Sequence, residues 1–130
     1  MKHNNKILKH PLLKNHDLGI QVCKFLESKQ VFPITDEEVL DILDAGELCG
    51  YFNAKIDTLE DFIIQKESDS VSTKGLLLFQ NAKTTSSYDQ ITELSSYVCK
   101  YQGGLDLVIG AVKNDELKDN EYKIIFVAVK

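Results

Sequence analysis

The chain has 130 residues, a length typical of a single domain, and its formal net charge is −5. Its 15 basic residues are scattered, whereas nucleic-acid binding requires a clustered basic surface. No apolar run approaches the ~20 residues that a membrane-spanning helix needs, and the amino terminus lacks the apolar core of a signal peptide. We therefore expect a cytoplasmic protein that binds neither nucleic acid nor membrane.

The first elements are an arm and an amphipathic helix. Residues 1–15 contain Pro11 and little periodicity, which indicates a solvated or extended N-terminal arm. Residues 16–29 have helical spacing, with Leu18 and Val22 on one apolar side and polar residues opposite. We expect this helix to bury one face and to expose the other. The remaining residues, 16–130, are predicted to form one domain.

A second helix has the clearest boundary in the sequence. Thr35 is followed three residues later by Glu38, which is the pattern of a capping box. The predicted helix covers residues 35–45, and Gly46 is suited to a left-handed conformation at its end. Residues 47–55 are short and rich in aromatic side chains, which predicts a strand.

The second half alternates helices with apolar strands. Residues 58–65 predict a short helix capped by Thr58, residues 75–80 an interior strand, and residues 87–101 an amphipathic helix. The stretch 104–130 predicts a hairpin, because two strands with apolar side chains on both faces flank the charged turn "KNDELKDN".

No reaction is indicated by the titratable residues. The histidines show no helical metal-site spacing, and the cysteines show no CxxC pattern, so we predict no metal, cofactor or disulfide and expect the cysteines to be buried structural residues. Asp36, Glu37 and Glu38 are explained by their place in the first turn of a helix, where carboxylates favour the positive end of the dipole. The histidines are His3, His10 and His16, and the cysteines are Cys23, Cys49 and Cys99.

Four segments resemble, in order, the C-terminal domain of FtsZ, the bacterial relative of tubulin. "DLVIGAVKNDELKDNEYKIIFVAV" is similar to the closing strands of that family, and "STKGLLLFQNAKTTSSYDQITELSSYVCKY" to the preceding strand and helix. "TDEEVLDILDAGELCGYFNA" resembles its helix and strand after the catalytic loop, and "HDLGIQVCKFLESKQVFPI" the lower half of the helix between its domains. Together these segments cover about residues 16–129.

The resemblance implies an α+β fold of FtsZ C-terminal-domain type, with chorismate-mutase-like architecture. We expect a small mixed sheet of about four strands, with helices 87–101 and 58–65 on one face and helices 16–29 and 35–45 on or beside the other. It also implies a non-enzymatic protein that acts through protein contacts and binds or regulates a tubulin-like filament in cell division. The expected partner is either full-length FtsZ or a second copy of the chain, and in the second case the protein would form a homodimer. The candidate contact residues are Pro33, Thr35, Asp36, Glu37, Glu38, Lys113, Asn114, Asp115 and Glu116.

Two departures from the family bear on catalysis. The sequence contains no Gly-rich phosphate signature of the tubulin type, so we expect no GTP binding. In the family's catalytic loop an Asn and two Asp precede the helix, and Pro33, Thr35 and Glu38 stand at those positions here. Only one carboxylate remains, and we expect no catalytic residues.

The alternative is a small oligomeric chorismate-mutase-like enzyme, or a ligand-binding protein, with a pocket between subunits. Such a site would use convergent Arg or Lys side chains to hold an anionic substrate. All 15 basic residues are lysines, so no guanidinium is present to bind a carboxylate with two hydrogen bonds.

Overall fold

The computed structural model describes residues 4–13, 17–28, 30–82 and 87–130. The described helices are α1 (Asn4–Leu8), α2 (Leu18–Glu27), α3 (Asp36–Leu43) and α4 (Ser87–Tyr101), with a 3₁₀ turn at Leu59–Asp61. The described strands are β1 (Gln30–Phe32), β2 (Leu48–Ile56), β3 (Gln65–Lys66), β4 (Lys74–Asn81), β5 (Asp106–Lys113) and β6 (Tyr122–Val129). The protein has an α+β fold.

The strands form one mixed sheet in the order β1-β5-β4-β6-β2-β3. β4 and β5 are parallel and are joined through α4, whereas β6 runs antiparallel to β4. The predicted terminal hairpin is therefore wrong, because β4 lies between β5 and β6. Parallel pairing requires a crossover connection, which α4 supplies, and residues 114–121 carry the chain past the end of β4.

The described residues form six strands, whereas the sequence predicted about four. The four long strands are β2, β4, β5 and β6, and the two additional ones lie at the sheet edges. β1 has three residues and β3 has two, too few for an alternating pattern to be detected.

The prediction of a helix over residues 58–65 is wrong except for a single 3₁₀ turn. Only Leu59–Asp61 are helical, because the backbone of Phe62 is extended, with φ −76° and ψ 94°. The Thr58 hydroxyl donates to the Asp61 carboxylate at 3.3 Å and forms no capping hydrogen bond with the backbone. Phe62 is buried, whereas its neighbour Ile63 is 70% exposed.

Apolar side chains cover the sheet on both faces, and the helices are distributed as predicted. One core contains residues of α2 and α3 packed on Leu76, Leu78 and Ile125, and the other contains residues of α4 and the 3₁₀ turn packed on alternate strand residues such as Phe79 and Phe126. The helical spacing of α2 and α3 is confirmed, as are the strands predicted at residues 47–55 and 75–80, which correspond to β2 and β4.

The described part of the N-terminal segment is not an extended arm. Ile7 is 0% exposed and Leu13 is 1% exposed, and both belong to the core that contains α2 and α3. The His10 ring accepts from the backbone N–H of Leu12 through Nδ1, and its Nε2 lies 2.9 Å from Asp44 Oδ1 at the end of α3. The expected solvated arm is therefore wrong for residues 4–13, whereas His3 and His16 lie outside the described residues.

The start of α3 is as the sequence predicted. The Thr35 hydroxyl accepts from the Glu38 N–H at 3.1 Å, and a Glu38 carboxylate oxygen accepts from the Thr35 N–H at 3.1 Å. Just after the helix, Gly46 has a φ of +131°, a conformation that favours glycine, and a Cβ there would lie 2.7 Å from the carbonyl oxygen of Lys130.

Candidate functional site

A cleft of about 440 Å³ lies at the end of the sheet where β4 and β5 finish and β6 begins. One wall is formed by α2, the floor by strand residues, and the other wall by the turn that follows β5. The lining residues are Gln21, Lys24, Ser28, Lys55, Gln80, Lys113, Asn114, Asp115, Glu116, Leu117 and Lys123.

The floor of the cleft contains three residues that are direct neighbours across the sheet. Lys55 of β2 pairs with Lys123 of β6, and Lys123 pairs with Gln80 of β4. Side chains directly opposite each other on adjacent strands have Cβ atoms about 4.5–5.5 Å apart. All three point to the same face as Leu78 and Ile125, the face that α2 covers.

The cleft is electropositive although the chain as a whole is acidic. Four lysines line it against two carboxylates, and Lys113 Nζ already lies 3.4 Å from Asp115 Oδ1. Burial lowers the pKa of the Lys123 ammonium from its ordinary value, and the positive charges of Lys55 and Lys24 lower it further. Asp17 opposes these effects. The charged form of Lys123 is therefore less favourable here than it is in water.

The turn after β5 is held in place by hydrogen bonds of the Asn114 backbone and side chain. The Asn114 N–H donates to the Asn81 carbonyl at 2.7 Å, and Asn114 Nδ2 donates to Gln80 Oε1 at 3.1 Å. Asn114 Oδ1 accepts from the N–H of Glu116 at 3.0 Å, and Leu117 is buried. This wall of the cleft is thus fixed at both ends.

Only one of the two candidate contact segments borders the cleft. Residues 113–116 border it, whereas residues 33–38 do not line it. Between exposed Pro33 and Thr35, Ile34 is buried, and a Cβ at Gly110 of β5 would lie 3.2 Å from Ile34 Cγ2. The segment thus packs on β5, with Glu37 and Glu38 exposed.

The residues that sequence reasoning missed are Lys24, Lys55, Lys123 and Gln80. Lysine near the end of an otherwise apolar strand was the available signal, since Lys55 and Lys123 each stand in a strand close to one end. Their proximity depends on the strand order, which the local pattern does not contain.

The three cysteines differ in their exposure. Cys23 and Cys49 are buried as expected, but Cys99 is exposed. In the part of the chain that the structure describes, no three His, Cys, Asp or Glu side chains are arranged to hold a metal ion. A search of the same residues finds no helix with the length and apolar character to cross a membrane.

No protein-family model matches the sequence, and a comparison with curated proteins also finds no match.

Proposed function

We propose that this chain is a non-enzymatic cytoplasmic binding protein of the FtsZ C-terminal-domain type. It acts through protein contacts and binds or regulates a tubulin-like filament in cell division, with full-length FtsZ or a second copy as partner. The ordered resemblance over about residues 16–129 supports this proposal, as does an α+β fold with helices on both faces of its sheet.

The observation that carries the proposal is the rigid presentation of the turn after β5. Lys113, Asp115 and Glu116 expose charged side chains, while Asn114 and Leu117 fix the backbone beneath them. A segment that is already ordered loses little conformational freedom on binding, which favours its use as a contact site.

The second contact segment is presented in the same manner. The reciprocal hydrogen bonds between Thr35 and Glu38 fix the first turn of α3, and buried Ile34 anchors the residues before it. The exposed carboxylates of Glu37 and Glu38 therefore project from a fixed backbone. In this proposal the two segments together form the surface that the partner contacts.

Co-sedimentation with FtsZ filaments from the same organism tests the proposal. FtsZ is polymerised with GTP and pelleted with wild-type protein or with the charge reversals Glu37→Lys and Glu116→Lys. We expect the wild type to pellet with the filaments, and at least one reversal to weaken binding about fivefold or more, as expected for a contact worth about 1 kcal/mol.

Glu60→Lys is the matched control, because Glu60 is an exposed glutamate outside both segments. Its binding should remain within about twofold of wild type, as for surface changes away from the contact. Absence of co-sedimentation at stoichiometric excess contradicts filament binding. If light scattering then shows a dimer that Glu116→Lys disrupts, the partner is a second copy.

A further inference from the structure

We propose that the cleft beside α2 is a binding site for a small molecule that carries a multiply charged oxyanion group, with Lys55 and Lys123 as its central ligands. The inference is independent of filament binding, since it concerns a small molecule and central ligands, Lys55 and Lys123, that belong to neither contact segment. The relevant chemistry is that of phosphate or carboxylate oxygens, which accept hydrogen bonds from lysine ammonium groups.

The placement of Lys55 beside Lys123 is the first argument. Like charges directly opposite each other on neighbouring strands destabilise a sheet. Neither lysine forms an ion pair with any described residue. An anion bound between the two ammonium groups would convert this repulsion into two attractive contacts.

Convergence of charge from separate elements is the second argument. Lys24 projects from α2 on the opposite wall, and Lys113 stands at the end of β5. Four lysines against two carboxylates leave the lining with an excess of positive charge, and such an excess in a cleft attracts anions. Such a concentration of positive charge in a chain of net charge −5 indicates an anionic occupant.

The floor and size of the cleft define the ligand further. Gln80 is only 5% exposed, and its amide lies at the floor of the cleft, next to Lys123 across the sheet and hydrogen-bonded to Asn114. The volume of about 440 Å³ falls within the ~300–1,000 Å³ of small-molecule sites, which suits a molecule larger than a single phosphate. Lysine ammonium groups act as point charges without the planar geometry of arginine, so charge decides binding more than shape does.

Calorimetric titration tests the inference, with sodium pyrophosphate and sodium citrate as probes and sodium chloride at matched ionic strength as the reference. We expect one or both probes to bind wild-type protein and chloride to give no saturable signal. Binding of pyrophosphate alone would indicate that the ligand carries phosphoryl groups, and binding of citrate alone would indicate that it carries carboxylates. Binding of both probes would indicate that the site recognises the anionic oxygens that the two probes share.

The variants Lys55→Gln and Lys123→Gln each remove one central charge, and both should weaken probe binding about tenfold. Lys118→Gln removes the same charge from an exposed position in the adjacent turn that does not line the cleft, and it should change affinity less than about twofold. Thermal unfolding of each variant establishes that it is folded. The inference is overturned if wild-type protein binds neither probe, or if Lys118→Gln weakens binding as much as the two cleft variants do.

Discussion

Replacing Ile7 by alanine tests whether α1 is part of the core. The Ile7 side chain is 0% exposed and packs in the core that contains α2 and α3. Truncating a buried isoleucine to alanine costs about 2–5 kcal/mol, and a terminal helix can partly collapse into the space, so we expect about 2–3 kcal/mol. For a chain of this length that loss corresponds to a fall in Tm of roughly 7–11 °C.

Urea unfolding followed by circular dichroism measures the effect, with Leu8→Ala as the matched control. Leu8 lies in the same helix and is 40% exposed, so its truncation should cost less than about 1 kcal/mol. Alanine raises helix propensity at both positions, so any loss reflects packing. A cost below about 0.5 kcal/mol for Ile7→Ala, or equal costs for the two variants, would refute the docking of α1 on the core.

Three further predictions concern the helix cap, the cleft and the thiols. Thr35→Ala should lower the free energy of unfolding in urea by about 1 kcal/mol, whereas Thr35→Ser should retain the cap; equal losses would contradict the hydrogen-bond argument. The pKa of Lys123 is lowered below its ordinary 10.5, so between those two pKa values this side chain binds more protons in the unfolded chain than in the folded one, and its contribution to stability should rise with pH there. Lys123→Met should therefore raise Tm at pH 7, with an advantage that shrinks as the pH rises between the two pKa values and is lost above the ordinary pKa of lysine; an advantage that stays constant over this range would contradict the reasoning. With a thiol-reactive dye, exposed Cys99 should react in the folded protein, while Cys23, whose thiol pKa burial raises, and Cys49 should react only in denaturant; fast reaction of all three would contradict the observed burial.

Local signals in the sequence were sufficient for most of the elements. The capping box at Thr35 and Glu38 defines the start of α3 through hydrogen bonds between residues three apart. The apolar stretch at residues 75–80 is covered on both faces, as such a composition predicts. These features depend on neighbours in the chain, which is why periodicity and composition could identify them.

Features that depend on distant partners were not predicted. α1 has only five residues, too few to show a helical period, and the burial of Ile7 and Leu13 follows from the docking of residues 4–13 on α2 and α3. The two-residue β3 is a strand only because Gln65 pairs with Tyr51 of β2. In both cases the segment's own sequence contains no pattern that indicates its burial or its strand pairing.

The candidate site was only partly predicted, because some of its residues come together only through pairing between distant strands. The turn at residues 113–116 was selected from the sequence, and it borders the cleft. Lys55 and Lys123 are separated by 68 positions in the chain, and their pairing depends on β6 lying beside β2. A lysine near the end of one strand is an ordinary surface residue until the strand order places a second one beside it.

The strand order that excludes a terminal hairpin is also what builds the cleft. β5 and β6 are two strand positions apart, so the connection between them must span about 9.6 Å and pass the end of β4, which a two-residue hairpin turn cannot do. That passage places Asn114 against Gln80, the residue on β4 that pairs with Lys123. If β5 and β6 were adjacent, their turn would not cross β4, and the wall formed by residues 113–117 would not face Lys24 on α2. The lysines, the buried amide and the fixed turn therefore come together through one topological feature, the insertion of β4 between the last two strands.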